Sequence, residues 1–100
     1  MHDIQLKLND NGRGTFVIEE GNERLAEMEI AIVNNNLTVF HTHVNDKLRG
    51  QGIASQLLSA MVAYAREHDK KVIALCPYVS VQFHRHPDQY ADIWNQQWHK

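Results

Sequence analysis

The spacing of apolar residues changes once along this chain of 100 residues, and the change falls between residues 44 and 54. Before it, apolar and polar residues alternate, as they do along a strand with one buried face. After it, apolar residues recur every three or four positions, as they do on the buried side of an amphipathic helix. A chain that shows both periods in succession is predicted to be an α/β protein.

The alternating half of the chain predicts four strands. They span residues 4–8, 16–18, 26–32 and 37–44. Glycine and asparagine, which tolerate the backbone conformations of tight turns, occupy the intervals between them. Because these intervals are short, neighbouring strands are expected to pair in an N-terminal antiparallel meander.

The second half of the chain predicts a βαβ unit. Residues 54–65 carry the helical stripe, and the continuous apolar run at residues 72–75 is typical of a strand covered on both faces. The crossover from strand four to strand five should be right-handed, which makes these two strands parallel. The predicted fold is therefore a mixed sheet that is antiparallel at first and parallel between strands 4 and 5.

Short helices are expected after the fifth strand. Pro77 suits the first turn of a helix that stops before Pro87. Asp88 is expected to cap a last helix. The aromatic residues along one side of that helix would be Tyr90, Trp94 and Trp98.

Length and composition predict one domain that spans residues 1–100. The formal net charge is −2 and the basic residues do not cluster, so nucleic acid is not an expected partner. No apolar run approaches the ~20 residues that cross a bilayer, and the N-terminus lacks the features of a signal peptide. The single cysteine, Cys76, fits a reducing compartment. We therefore expect a cytoplasmic protein with no membrane partner.

The segment between strand four and the long helix has the composition of an anion site. Gly50 and Gly52 let the backbone approach a ligand closely, and Arg49 adds a positive charge. The helix is expected to begin near Gly52, where its unpartnered amide hydrogens and its dipole attract a phosphate or pyrophosphate. The segment lacks the motifs of nucleoside-triphosphate loops and of dinucleotide-binding folds. A tight turn whose glycines only relieve strain is the alternative.

Two motifs at this spacing resemble those of the GNAT acetyltransferase superfamily. The pattern Arg-x-x-Gly-x-Ala at residues 49–54, directly before a helix, is similar to its coenzyme A signature. Four stretches together resemble one branch of short, single-domain members with a cysteine beside the acetyl group. These stretches are residues 41–44, 48–54, 76–79 and 86–90. The sequence departs from this branch at Asn45, where members often carry proline.

The resemblance implies that the chain binds coenzyme A and acetyl-coenzyme A, with the latter as acetyl donor. In the superfamily, strands four and five splay apart, pantetheine pairs with strand four, and the pyrophosphate lies on the glycine loop. The corresponding strand residues are Thr42, His43 and Val44. The corresponding loop residues are Arg49, Gly50, Gln51, Gly52, Ile53 and Ala54. The acetyl thioester then points towards Cys76, and the acceptor is an unidentified amine.

Cys76 is a candidate nucleophile. It directly precedes Pro77 at the start of a helix, where a thiolate is stabilised. A thiolate can attack a thioester carbonyl, so Cys76 would take the acetyl group and pass it to the amine. Two alternatives stay open: Cys76 is a small buried hydrophobe, or the amine attacks acetyl-coenzyme A directly.

Two other side chains are candidates for proton transfer. His41 and His43 share one face of strand four because side chains alternate, and His43 is a candidate general base near Cys76. Tyr78 is a candidate acid for the leaving coenzyme A thiolate, a role that tyrosine plays in longer relatives. Packing or hydrogen bonding to neighbours is the alternative for each of them.

The expected function is acetyl-coenzyme A binding with N-acetyl transfer. A small polyamine, a protein terminus and a lysine side chain all fit as the acceptor. The main rival is a coenzyme A sensing module that transfers nothing, since the short chain has no evident acceptor site. A metal site built from Cys76 and the histidines, including His84 or His86, is a second rival. No metal is expected, because no second cysteine or spaced acidic residue supports that site.

Overall fold

The computed structural model describes residues 3–96, which form a five-stranded sheet and three α-helices. The strands are β1 (Gln5–Leu8), β2 (Arg13–Glu20), β3 (Glu23–Val33), β4 (Asn36–Val44) and β5 (Lys71–Ala74). The helices are α1 (Ile53–Glu67), α2 (Pro77–Arg85) and α3 (Pro87–Tyr90). The strands lie in chain order, β1 to β4 are antiparallel, and β5 is parallel to β4. The predicted fold class is confirmed.

The core lies between one face of the sheet and the helices. Apolar side chains of that face join all three helices in a single cluster. The sheet contributes Phe16, Ile18, Ala26, Met28, Ile30, Leu37 and Val39. The opposite face carries ion pairs instead, such as Lys7 with Glu19 and Arg13 with Glu29. This division fits the strand alternation, because every second side chain points away from the helices.

β3 and β4 change register at one point. Glu29 pairs with His41 and Ile30 pairs with Val39, so Phe40 is an extra residue in β4. A single extra residue reverses the face to which every following side chain points. This β-bulge decides which side chains of β4 reach the functional site.

Residues 86–96 differ from their prediction. α3 ends at Tyr90, and its N-cap is His86 rather than Asp88, because Pro87 takes the first helical position. The chain then runs along β5, where the amide of Val72 donates to the carbonyl of Ile93 and the amide of Asn95 donates to the carbonyl of Val72.

The predicted aromatic face of a last helix is therefore wrong. Trp94 forms a parallel bridge with Val72, and Trp98 lies outside the described residues. The physical reason is the edge of β5. Its backbone N–H and C=O groups would lack hydrogen-bonding partners if the chain continued as a helix beyond the short α3. No helix in residues 3–96 is long and apolar enough to cross a membrane.

Candidate active site

β4 and β5 pair over only part of their length. Asn36–Val39 and Lys71–Ala74 form a parallel ladder of four residue pairs, which we call the paired end. Beyond the ladder, residues 40–44 and residues 75–78 follow separate paths, and we call this region the splayed end. Only the splayed end leaves room between the two strands for a ligand.

Val39 marks the boundary between these two ends. Its carbonyl oxygen accepts hydrogen bonds from the amides of both Leu75, at 3.1 Å, and Cys76, at 2.9 Å. Within residues 3–96, no strand pairs with β4 on this side beyond Val39. The edge of β4 at residues 40–44 can therefore receive backbone hydrogen bonds from a ligand.

The loop before α1 has the geometry of an anion site. Gly52 is the N-cap of α1 with a φ of 70°, and Gly50 has a φ of 82°. A Cβ atom added at either glycine would meet no atom within 4 Å, so both positions border open space. No side chain of the described residues caps the helix. The amides of Ile53 and Ala54 therefore remain available to an anion.

Asn45 shapes the turn that leads into this loop. Its side-chain oxygen accepts a hydrogen bond from the amide of Lys47, at 2.9 Å. Its own amide donates to the carbonyl of Leu25, at 2.8 Å. A proline at this position could not make the second bond, because it has no amide hydrogen. Asparagine thus holds the loop against β3 by a contact that proline would lack.

A groove of about 270 Å³ separates the loop from the start of α2. Its lining residues are Val44, Leu48, Arg49, Gly50, Gly52, Ile53, Ala54, Ser55 and Tyr78. The Arg49 side chain is 80% exposed at the rim and forms an ion pair with Asp46 at 2.5 Å. An exposed ion pair contributes little free energy, so Arg49 can turn towards a phosphate at small cost.

Cys76 lies at the inner end of the splay. It is the N-cap of α2, it directly precedes Pro77, and it is buried with 2% exposure. Its Sγ atom lies 3.3 Å from Oγ1 of Thr42 on β4, within hydrogen-bonding distance. Among the described residues, no side chain other than Thr42 hydrogen-bonds to this sulfur. The thiol thus has a helix N-terminus on one side and a hydroxyl group on the other.

Tyr78 lines the groove and follows Cys76 by two residues. Burial raises the pKa of the Tyr78 hydroxyl above its usual value, and the nearby Tyr90 adds to the rise. Hydrogen bonding with Ser55 opposes this change in part. The hydroxyl therefore carries its proton at neutral pH, as a proton donor must.

The side chain of His43 and the Thr42 side chain that contacts Cys76 point to opposite faces of β4. His41 and His43 share one face of β4 as predicted, since they pair with Glu29 and Glu27. The bulge at Phe40 turns that face away from the helices. Thr42, which pairs with the buried Met28, takes the core side instead. The structure thus gives no support to His43 as a base for the thiol, although its backbone lies on the free edge of β4.

The metal ligands considered from sequence, Cys76 with the histidines, do not form a group in the described residues. In the part of the chain that the structure describes, the group with the spacing of metal ligands is Glu27, Glu29 and His41, without Cys76, His84 or His86. Two cations, Arg24 and Arg13, already pair with its carboxylates at 3.3 and 2.9 Å. The group lies on the face opposite Cys76 and serves the ion-pair network of the sheet.

Sequence reasoning missed the side chains of Thr42 and Ser55. Thr42 was expected to contribute its backbone alone, through the pairing of strand four with pantetheine that the family resemblance implies. One signal was present: the apolar pair of Val39 and Phe40 interrupts the alternation and is where the bulge lies. Ser55 gave no signal, since serine at the start of a helix is common.

Comparisons with known proteins agree with this geometry. A family model described as GCN5-related N-acetyl-transferase matches residues 15–93. The solution structure of a GCN5-like putative N-acetyltransferase from Staphylococcus aureus is 33% identical, with a TM-score of 0.68 and complete coverage of both chains. No curated protein matches the sequence.

Two more distant structures share the fold. A ribosomal-protein-alanine N-acetyltransferase from Brucella melitensis is 18% identical, with a TM-score of 0.60, over 80% of this chain and 62% of its own. AAC(6')-Iy, in complex with the bisubstrate analogue CoA-S-monomethyl-acetylneamine, is 13% identical, with a TM-score of 0.51, over 92% of this chain and 67% of its own. At these identities the likeness concerns the fold alone.

Proposed function

Because the chain belongs to the GCN5-related N-acetyltransferase family, we propose that it transfers an acetyl group from acetyl-coenzyme A to an amine. One observation carries this proposal. One groove at the splayed end is lined by the uncapped N-terminus of α1, by Val44 at the end of the free edge of β4, and by Tyr78, which follows the buried Cys76 by two residues. These are the features that a long molecule with a pyrophosphate at one end and a thioester at the other requires.

The donor substrate would be held mainly by backbone groups. The amides after Gly52 and the Arg49 side chain would bind the pyrophosphate, with Gly50 allowing close approach. The edge of β4 at Thr42, His43 and Val44 would hydrogen-bond to the amides of pantetheine. Among residues 3–96, no strand pairs with this stretch of β4 on the β5 side, and no side chain caps the amides after Gly52.

The acetyl group would pass through Cys76 in two balanced steps. The thiol first loses its proton to solvent, and the thiolate attacks the acetyl carbonyl carbon. The bond between that carbon and the coenzyme A sulfur then breaks, and the Tyr78 hydroxyl gives its proton to the leaving sulfur. In the second step the amine attacks acetyl-Cys76, the carbon–nitrogen bond forms, and the Cys76 thiolate is released. The amine loses one proton, which restores the hydroxyl of Tyr78.

Direct transfer is the second candidate, and the burial of Cys76 favours it. At 2% exposure, the thiol is almost closed to an incoming thioester. In this route the amine attacks acetyl-coenzyme A without an intermediate, and Tyr78 keeps its role. Both routes require the groove, so they differ only in whether the protein itself carries the acetyl group.

Intact-mass analysis after mixing with acetyl-coenzyme A tests the proposal. The wild-type protein should gain one acetyl group that is absent in Cys76→Ala, while both bind coenzyme A in a titration. Release of coenzyme A should then increase with at least one member of a panel that holds polyamines, peptide N-termini and lysine peptides. Turnover without an acetylated protein would establish direct transfer. Binding without turnover of any amine would overturn the proposal in favour of a sensing module.

A further inference from the structure

Thr42 and Cys76 are brought together by two independent features of the fold. At the end of the parallel ladder, the amide of Cys76 donates a hydrogen bond to the carbonyl of Val39. This bond fixes the position of the thiol along β4. The bulge at Phe40 then turns the Thr42 side chain towards the core. Without the extra residue, His41 and His43 would occupy that face and the hydroxyl would point away from the sulfur.

The contact between these side chains has the chemistry that a buried thiolate needs. A charged group out of contact with water is costly unless a hydrogen-bond donor compensates it. The Thr42 hydroxyl lies 3.3 Å from Sγ and can act as donor or acceptor. Among the described residues, this hydroxyl has no hydrogen-bond partner other than Cys76. It is therefore free to donate to the sulfur when the sulfur becomes charged.

We propose that Thr42 is a positioning residue for Cys76: its hydroxyl accepts the S–H hydrogen bond of the thiol and donates to the sulfur of the thiolate. This inference rests on the proposed function, because it concerns the route through acetyl-Cys76. The α2 N-terminus and the hydroxyl together hold the charged sulfur at the base of the splay, where the thioester would lie. In the proposed donor site Thr42 would contact pantetheine through its backbone, so removal of the hydroxyl should leave donor binding intact.

Two reactions of Cys76 test the role of Thr42. The first is the single-turnover rate of acetyl uptake from saturating acetyl-coenzyme A, followed by intact mass. The second is the rate of alkylation by iodoacetamide, which needs no acetyl donor. Thr42→Val removes the hydroxyl at nearly constant volume and should slow both reactions about tenfold, the usual effect of losing a hydrogen bond to a charged group. Thr42→Ser keeps the hydroxyl and should react within about threefold of wild type.

The affinity for coenzyme A separates positioning from binding. In a titration, Thr42→Val and wild type should agree within about threefold, since the hydroxyl is not needed for the backbone contacts. Thr42→Ala gives a second hydroxyl-free variant if the valine variant fails to fold. Wild-type rates in Thr42→Val, or a Thr42→Ser protein as slow as Thr42→Val, would overturn the inference. If the wild-type protein takes up no acetyl group but the alkylation rates still differ as expected, the proposed route fails and the Thr42–Cys76 interaction stands.

Discussion

The two ends of the β4–β5 pair are built from different kinds of contact. At the paired end, Leu37, Val39 and Val72 are completely buried and joined by a parallel ladder. At the splayed end, the ladder stops and a glycine loop with an 80% exposed Arg49 borders the gap. One pair of strands can thus stabilise the fold at one end and form a site at the other, because a site needs backbone groups that the fold leaves without partners.

Leu37→Ala should give the largest effect and act on the paired end alone. The substitution leaves a cavity against Val72 and α1, so the free energy of unfolding should fall by about 2–5 kcal/mol. Urea unfolding measures the loss, with Thr38→Ala on the opposite face as the control. The protein that remains folded should bind coenzyme A within about threefold of wild type. A loss below about 1 kcal/mol would show that the paired end does not anchor the fold.

Tyr78→Phe should act on the splayed end alone. It removes the proposed proton donor and should slow acetyl transfer about 100-fold at saturating donor, with little change in stability. Because the pKa of Tyr78 is raised, the wild-type enzyme should keep this contribution up to at least the ordinary tyrosine value of about 10. A pH–rate profile of both proteins tests this, and an earlier loss of rate in the wild type alone would contradict the assignment.

The division between the two ends could be predicted from sequence only in part. The helical stripe followed by the apolar run at residues 72–75 predicted the parallel pair. The glycines predicted the helix start near Gly52, and Pro77 predicted that Cys76 lies at the start of α2. These features depend on residues close together in sequence. The core-facing side chain of Thr42 was not predicted, because its direction depends on a bulge set by pairing with β3.

The end of the chain was mispredicted for a similar reason. The four-residue spacing of Tyr90 and Trp94 is typical of a helix, but Trp94 pairs with β5 instead. The backbone groups at the edge of β5 form hydrogen bonds with this segment. This is a tertiary interaction that cannot be recognised from the spacing of residues along the chain. The Thr42–Cys76 contact joins residues 34 positions apart and was beyond local reasoning for the same reason.

Arg49→Ala should give a smaller effect, on binding rather than on folding. Loss of the charge at the rim should weaken coenzyme A binding about tenfold, and the difference should shrink as salt concentration rises. Unfolding should be nearly unchanged, because the pair with Asp46 is exposed. Arg66→Ala removes the same charge at the far end of α1 and should bind normally. Equal weakening by both variants would point to overall charge rather than to a phosphate site.

Asp92→Asn should give the smallest effect, at the surface of the paired end. The hydrogen bond from Arg66 holds the pKa of Asp92 below its ordinary value. A lowered pKa stabilises the fold above the ordinary aspartate value, and this contribution is lost as pH falls through the lowered value. The pair is about half exposed, so the loss at neutral pH should be less than about 1 kcal/mol. Urea unfolding at several pH values tests it, with Asp88→Asn as the control.

The most direct test of the account is an amide-resolved NMR titration of the protein with coenzyme A. The largest shift changes are expected at residues 40–44, 49–54 and 75–78, which surround the splay. Residues of the paired end, Asn36–Val39 and Lys71–Ala74, should move little. Changes centred on the paired end or on the ion-paired face of the sheet, or no binding at millimolar coenzyme A, would contradict the claim that the splayed end is the acetyl-donor site.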